Sequence, residues 1–287
     1  ISACLVGSEM CIRDSFLAWF ARAPREAGLT EMAAAARLLA LRAEGAQFAG
    51  ESFPAIAGAG PHGAIVHYRA TEATDRRIGA DEVFLLDSGA QYRDGTTDVT
   101  RTMWTGPGAA PRDVRERFTR VLRGHLALGA TRFPEGVAGP HLDAIARRPL
   151  WEAGLDYDHG TGHGIGSFLS VHEGPAGISR AAKPVALRPG MILSNEPGFY
   201  EPGAYGIRIE NLLLVRQAAP QPGQRKSFLE FETLTLAPYD RGLIEVAMLT
   251  PAERAQVDAY HARVLAEVGK LVDGATRDWL ARACAKL

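Results

Sequence analysis

Cysteine is scarce in these 287 residues. There are three, Cys4, Cys11 and Cys284, and no CxxC pair. An odd, sparse set argues against a disulfide framework and fits a reducing, cytoplasmic setting. Long apolar runs are missing too: none approaches the roughly 20 residues of a membrane span. Neither sign of charge dominates, with 32 basic residues against 33 acidic ones. Without a long basic run, nucleic acid and anionic membranes are not expected as partners. No short-period repeat or low-complexity linker is present. What is plentiful is apolar surface: 46% of residues are hydrophobic, enough for a large core.

The stretch ISACLVGSEMCIRDS has no helical or strand period and no signal-peptide shape. It resembles translated adapter sequence. Residues 1–14 are therefore expected to be a non-native or disordered leader. LTEMAAAARLLALRAEG predicts a helix capped by Thr30 and stopped near Gly45. GAIVHYRA predicts a short strand over Ala64 to Tyr68. PRDVRERFTRVLRGHLALGATRF predicts a helix from Pro111 to about Gly129. HLDAIARRPLWEAGL predicts another, kinked or split by Pro149. Three strand-like runs follow, GMILSNEPGFY, GIRIENLLLV and LEFETLTLAPY. The end is helical, with a Thr250–Glu253 capping box and a last helix in TRDWLARACAKL. Strands and helices do not alternate as βαβ units, so an α+β layout with an antiparallel sheet is expected.

VFLLDSGAQYRDGTTDVTRTMW places Asp87 and Asp98 in a hairpin pattern. Two registers fit. In one, Asp87 faces Asp98; in the other, set by an Asp94-Gly95 turn, Gln91 faces Asp98. In both, Asp87 and Asp98 share a face, because side chains alternate with period two. Directly opposed residues lie ~5 Å apart at Cβ. Two ionised carboxylates that close repel unless a cation lies between them. A plainer account has one aspartate capping a turn and the other pairing with Arg101.

The rest of the chain favours the cation. GTGHGIGSFLSVHEG carries His163 and His172 among glycines, with His159 just before. SNEPGFY sets Glu196 at the end of an apolar run. In GIRIENLLLV, Arg208 and Glu210 share one face, and a glutamate within such a strand needs a partner. Asp87, Asp98, Glu196 and Glu210 supply four negative charges, which two divalent cations balance. Oxygen-rich ligation with one imidazole, His163, suits hard or borderline ions such as Mn2+. Arg208 is then expected to orient a ligand carboxylate, and the one expected is Asp98.

The order Asp, Asp, His, Glu, Glu resembles the dinuclear pita-bread metallopeptidases. LLDSGAQYRDGTTDVTRTMW, HGTGHGIGSFLSVHEGP and GIRIENLLLV most closely resemble the long, eukaryote-like form of Xaa-Pro aminopeptidase, from about Phe16 to the C-terminus. The resemblance implies a pita-bread fold, a curved antiparallel sheet flanked by helices, over 15–240. It implies a packed helical extension over 241–287. It implies two divalent metal ions held by Asp87, Asp98, His163, Glu196 and Glu210. His67 matches a histidine proposed to shuttle protons, His159 and His172 match histidines that contact the peptide, and Tyr200 matches a tyrosine after the Glu-Pro-Gly turn. Catalytic roles then fall to His67, His172 and Glu196, and substrate contacts to His67, His159, His172, Tyr200 and Arg208. The implied substrates are peptides with proline at position two, and the long form is typically a homodimer. His62 and Asn195 replace an Asn and an Asp expected beside the site. The long form also carries two N-terminal domains that these residues do not include. The competing readings are a prolidase-type Xaa-Pro dipeptidase and a truncated, inactive binding module.

Overall fold

The computed structural model describes residues 9–23 and 28–287. Of the expected leader, residues 1–8 lie outside the described residues, and residues 9–14 do not stand apart from the body. Glu9, Arg13 and Asp14 are buried. Arg42 donates to Glu9, and Arg13 donates to the carbonyl and hydroxyl of Ser88.

Helices α1 (Cys11–Arg22) and α2 (Glu31–Ala43) come first. Thr30 caps α2 as expected, its hydroxyl accepting from the Ala33 N–H. Strands β1 (Phe48–Ala59), β2 (Val83–Tyr92), β3 (Gly95–Thr96) and β4 (Val99–Trp104) form an antiparallel sheet. The expected strand at Ala64 to Tyr68 is absent. Gly60–Ala64 is a 3-10 turn, and the Tyr68 N–H bonds back to Ile65. The strand is β1, just upstream. Pro54, Gly50 and Gly58, with three register shifts against β2, erase its alternation.

The β2–β4 register falls midway between the two expected ones. Asp87 faces Thr100, Gln91 faces Thr96, and the turn is Arg93-Asp94. Period two still governs the faces. Phe84 and Leu86 pack on Phe16, Phe20 and Leu38 of α1 and α2, so Leu85 and Asp87 point the other way.

Helix α3 (Arg112–Gly129) has Pro111 at its N-cap, as its sequence predicts. After β5 (Arg132–Pro134) comes α4 (Asp143–Trp151), which Pro149 does not split. That proline sits in the last turn, where its missing N–H removes only one bond. Then follow β6 (Gly162–His163), β7 (Gly177–Ile178), β8 (Ile192–Asn195), β9 (Gly198–Glu201), β10 (Tyr205–Arg208), β11 (Asn211–Gln217) and β12 (Phe228–Thr233). The second sheet runs β5–β12–β11–β8, and β9–β10 and β6–β7 are short antiparallel pairs. GIRIENLLLV is two strands, not one, broken at Ile209-Glu210. Leu128, Leu142 and Ala146 of the α3–α4 region pack on Phe133, Leu193 and Val215 of that sheet. Helices α5 (Pro251–Val268), with its Thr250–Glu253 capping box, and α6 (Gly274–Ala283) close over Val99 and Leu236.

Helices α3 and α4 meet at Gly124, where a Cβ would lie 2.0 Å from the Ala146 carbonyl oxygen. Gly124→Ala is expected to lower stability by about 1–3 kcal/mol, because a backbone atom must move. Gly129→Ala, whose Cβ would meet only Asn195 Nδ2 at 3.8 Å, should stay within about 0.5 kcal/mol. Urea unfolding of the two variants checks this; equal midpoints would show that the helices separate without cost.

Candidate metal centre

Five segments deliver side chains to one cavity of about 360 Å³. Its lining includes Asp87 from β2, Asp98 just before β4, His163 from β6, Glu196 after β8 and Glu210 between β10 and β11. Asp87, Asp98 and Glu210 are buried.

Local structure explains each placement. Gly162 lets β6 lie against β8, since a Cβ there would meet the Ser194 carbonyl oxygen at 2.0 Å. The Ser194 hydroxyl accepts from the His163 N–H (2.9 Å) and donates to Glu196 Oε1 (3.0 Å), so one side chain sets two candidate ligands. The Glu196 N–H donates to the Thr161 carbonyl at 2.8 Å. Thr100 Oγ1 donates to Glu210 Oε2 at 2.7 Å. Thr100 and Ser194 were not singled out from sequence. Their signal was available: each stands two residues from a candidate ligand (Asp98 and Glu196), hence on the same strand face.

Three tips, from Asp98, His163 and Glu210, lie within 4.8 Å of one another. Glu196 joins through His163, whose Nε2 is 3.4 Å from both Glu196 Oε1 and Asp98 Oδ2. His163 Nδ1 faces the Gly164 carbonyl at 3.0 Å. That nitrogen therefore carries the hydrogen, and the Nε2 lone pair faces the carboxylates. Asp87 stands outside the tight group, held by Arg208.

The expected partner of Arg208 is corrected here. Arg208 Nη2 donates to Asp87 Oδ2 at 2.7 Å, not to Asp98. The reason is register. The Arg208 N–H and C=O pair with the Thr102 hydroxyl, and the Glu210 N–H bonds to the Thr100 carbonyl. Asp98 therefore lies beyond Glu210, roughly 13 Å of strand from Thr102, whereas Asp87 faces Thr100. Arg101 pairs with neither aspartate. It donates to Asn211 Oδ1, the Tyr260 hydroxyl and the carbonyls of Thr100, Glu210, Ala237 and Pro238.

Arg208 Nη1 also donates to the Tyr200 hydroxyl (2.6 Å), which lies 2.8 Å from His159 Nε2. His159 Nδ1 faces the Gly160 carbonyl. Both imidazole nitrogens are thus engaged. Burial, with the Arg208 charge, pushes the His159 pKa down to about 3. His67 and His172 are exposed at the cavity mouth, and the His172 ring stands edge-on to His163 with centroids 4.2 Å apart.

The donor set fits divalent cations. Asp87 Oδ1 and Asp98 Oδ1 are buried with no hydrogen-bond partner. Burial and then neighbouring carboxylates raise Asp98 and Glu210 well above the carboxylate range; burial raises Glu196. Orphaned oxygens beside a correctly presented imidazole, without a thiolate, are what hard or borderline cations bind.

Comparison with known proteins agrees with this geometry. A model of metallopeptidase family M24 matches residues 11–217, and a model of the C-terminal region of the same peptidases matches 227–287. The chain belongs to metallopeptidase family M24. A Fusarium vanettenii protein named probable Xaa-Pro aminopeptidase P is 44% identical over 99% of this chain and 48% of its own length. A Caenorhabditis elegans X-prolyl aminopeptidase, described as a cytosolic enzyme with a dinuclear active site, superposes with TM-score 0.93 at 37% identity. It covers all of this chain and 47% of its own. The prolidase of Pyrococcus furiosus gives TM-score 0.66 at 28% identity over 81% of this chain and 63% of its own. The M24 chain described here thus has the expected pita-bread fold and spans about half the length of the Fusarium vanettenii and Caenorhabditis elegans relatives.

Metal binding should compete with protons. The raised carboxyls favour the metal-free fold when protonated, below the ordinary carboxylate pKa near 4, and this contribution fades as pH rises through their folded values. Added Mn2+ should therefore raise Tm more at pH 7.5 than at pH 5.5. Differential scanning fluorimetry with and without Mn2+ measures it, and a pH-independent shift would argue against carboxylate ligation.

Proposed function

We propose that this chain is the catalytic part of an Xaa-Pro aminopeptidase, removing the first residue from peptides with proline at position two. The observation carrying the reading is the convergence of four carboxylates and one oriented imidazole in a single buried cavity. Asp87, Asp98, His163, Glu196 and Glu210 would hold two divalent ions, Mn2+ being the best match to this donor set. When bound, such ions would supply an acidified water and Lewis-acid polarisation of the scissile carbonyl.

The protein's own groups supply the rest. Glu196, with its raised pKa and its Ser194 hydrogen bond, is suited to take the water's proton and pass it to the leaving proline nitrogen. His172, whose pKa is lowered by partial desolvation and by the neighbouring His163 and His67 imidazoles, is suited to donate an N–H to the developing oxyanion. His67, exposed at the mouth, assists proton transfer. Arg208 fixes Asp87 and, through Tyr200, His159. His159 then presents its ring, not a free nitrogen, to the peptide. A cytoplasmic homodimer follows the family pattern and the cytosolic C. elegans relative.

Purified protein, stripped with chelator and reloaded with Mn2+, should cleave Xaa-Pro peptides of three or more residues. Glu210→Gln should abolish metal-dependent turnover. His172→Ala should lower kcat by about 10²–10³ with metal content unchanged. Cleavage of Xaa-Pro dipeptides alone would make prolidase the better name. Mn2+ binding with no cleavage of any Xaa-Pro peptide would make the chain a binding module.

A further inference from the structure

His125 lies on α3, outside the metal cavity, and is buried. It touches the two strands, β8 and β11, whose ends adjoin the candidate glutamate ligands. Asn195 and Asn211 are cross-strand partners on β8 and β11. Asn195 directly precedes Glu196, and Asn211 directly follows Glu210. His125 Nδ1 is 3.1 Å from the Asn195 carbonyl oxygen, and Nε2 is 3.1 Å from Asn211 Nδ2. The Asn195 amide returns a bond to the His125 carbonyl at 2.9 Å.

The hydrogen bonds fix the direction of every donor. Arg101 has only donors, and its Nη2 lies 2.8 Å from Asn211 Oδ1. Asn211 must then turn its NH2 to His125 and to the Tyr239 hydroxyl, 3.2 Å away. Nε2 of His125 is the acceptor, and Nδ1–H is left to donate to Asn195. A protonated ring would set N–H against NH2. Burial, helped by the Arg101 charge, holds the His125 pKa down at about 3.

We propose that His125 is a positioning residue, a clamp that sets the spacing of Glu196 and Glu210 and thereby the affinity for the divalent metal. It rests on the metal reading of the preceding subsections. Hydrogen bonds one residue removed from each ligand, to the Asn195 backbone and the Asn211 side chain, tie the two segments to one ring, so the glutamates meet the cations already placed. Groups that orient metal ligands from outside commonly contribute 10–100-fold to affinity.

The test is Mn2+ titration by calorimetry on the full chain without peptide, with the Co2+ absorption spectrum as a second readout. His125→Leu removes both contacts at similar volume and should weaken Mn2+ binding about 10–100-fold and alter the Co2+ spectrum. His125→Asn keeps a donor toward Asn195, and His125→Gln keeps an acceptor toward Asn211; each should fall between Leu and wild type. If the Leu variant does not fold, these two decide, and wild-type affinity in both overturns the proposal. Val121→Ala, one turn earlier on the same buried face, is the control. It should lower Tm and leave affinity and spectrum unchanged. Equal weakening in Val121→Ala and His125→Leu would show a merely structural role and overturn the proposal. A wild-type chain that binds no Mn2+ overturns both this clamp and the metal reading, whereas normal binding in every His125 variant overturns the clamp alone.

Discussion

Four carboxylates share one cavity, and their mutual repulsion is the constraint around which this structure is organised. Two unit charges 4.8 Å apart at an effective dielectric constant near 20 repel by roughly 3–4 kcal/mol. Asp98 and Glu210 have tips that close, and ionising both would cost a large share of a typical domain's stability of about 5–15 kcal/mol. Without cations, the cavity relieves the repulsion unevenly. Asp87 is neutralised by the Arg208 guanidinium, while Asp98, Glu196 and Glu210 all move toward the protonated form. A cavity whose carboxyls are pushed toward the protonated form and whose buried oxygens lack partners fits divalent cations better than it serves fold stability.

The same constraint explains why the surrounding polar groups are so densely bonded. Four of the five candidate ligands are fixed by a hydrogen-bonding neighbour: Thr100 for Glu210, Ser194 for Glu196 and the His163 backbone, Gly164 for the His163 ring, Arg208 for Asp87. Two of these contacts are local, Ser194 to Glu196 and Gly164 to His163, and the other three join segments distant in sequence that the sheets bring together. Precision at the cavity therefore derives from sheet register. A slip of one residue would turn every ligand to the opposite face.

Much of this was legible in the sequence, and the failures have physical causes. The period-two argument put Asp87 and Asp98 on one face, and it survived although neither expected register was right. The caps at Thr30 and Thr250 and the helix behind Pro111 were readable because capping is local chemistry. The wrong partner for Arg208 came from what no single strand contains, the offset at which β10 docks on β4. The missed strand β1 failed differently: Pro54, Gly50 and Gly58 hide a strand whose bulges let it bend beside the cavity. The leader reading excluded residues whose burial only tertiary contacts reveal. Ser194 and Thr100 were within reach of the alternation rule, but hydroxyls carry too little signal unless the ligands beside them are already known.

His125 was out of reach for a further reason. Nothing near it in sequence bears on metal chemistry, and its meaning depends on a chain of directional constraints. Arg101 orients Asn211, Asn211 selects the His125 tautomer, and that tautomer grips the strand of Glu196. The chain extends to the C-terminal region, because Tyr260 of α5 accepts from Arg101 and His261 Nε2 accepts from the Tyr239 N–H. Tyr239 in turn stacks on Tyr260 with centroids 4.7 Å apart. The segment matched by the separate C-terminal family model is thus bonded, through one buried arginine, to the backbone carbonyl of Glu210 and to the asparagine beside it. A helix that looks like an appendage in sequence supplies part of the rigidity on which the ligand spacing depends. It does so with neutral hydroxyls and an imidazole, which add no charge to a cavity that already has too much of one sign.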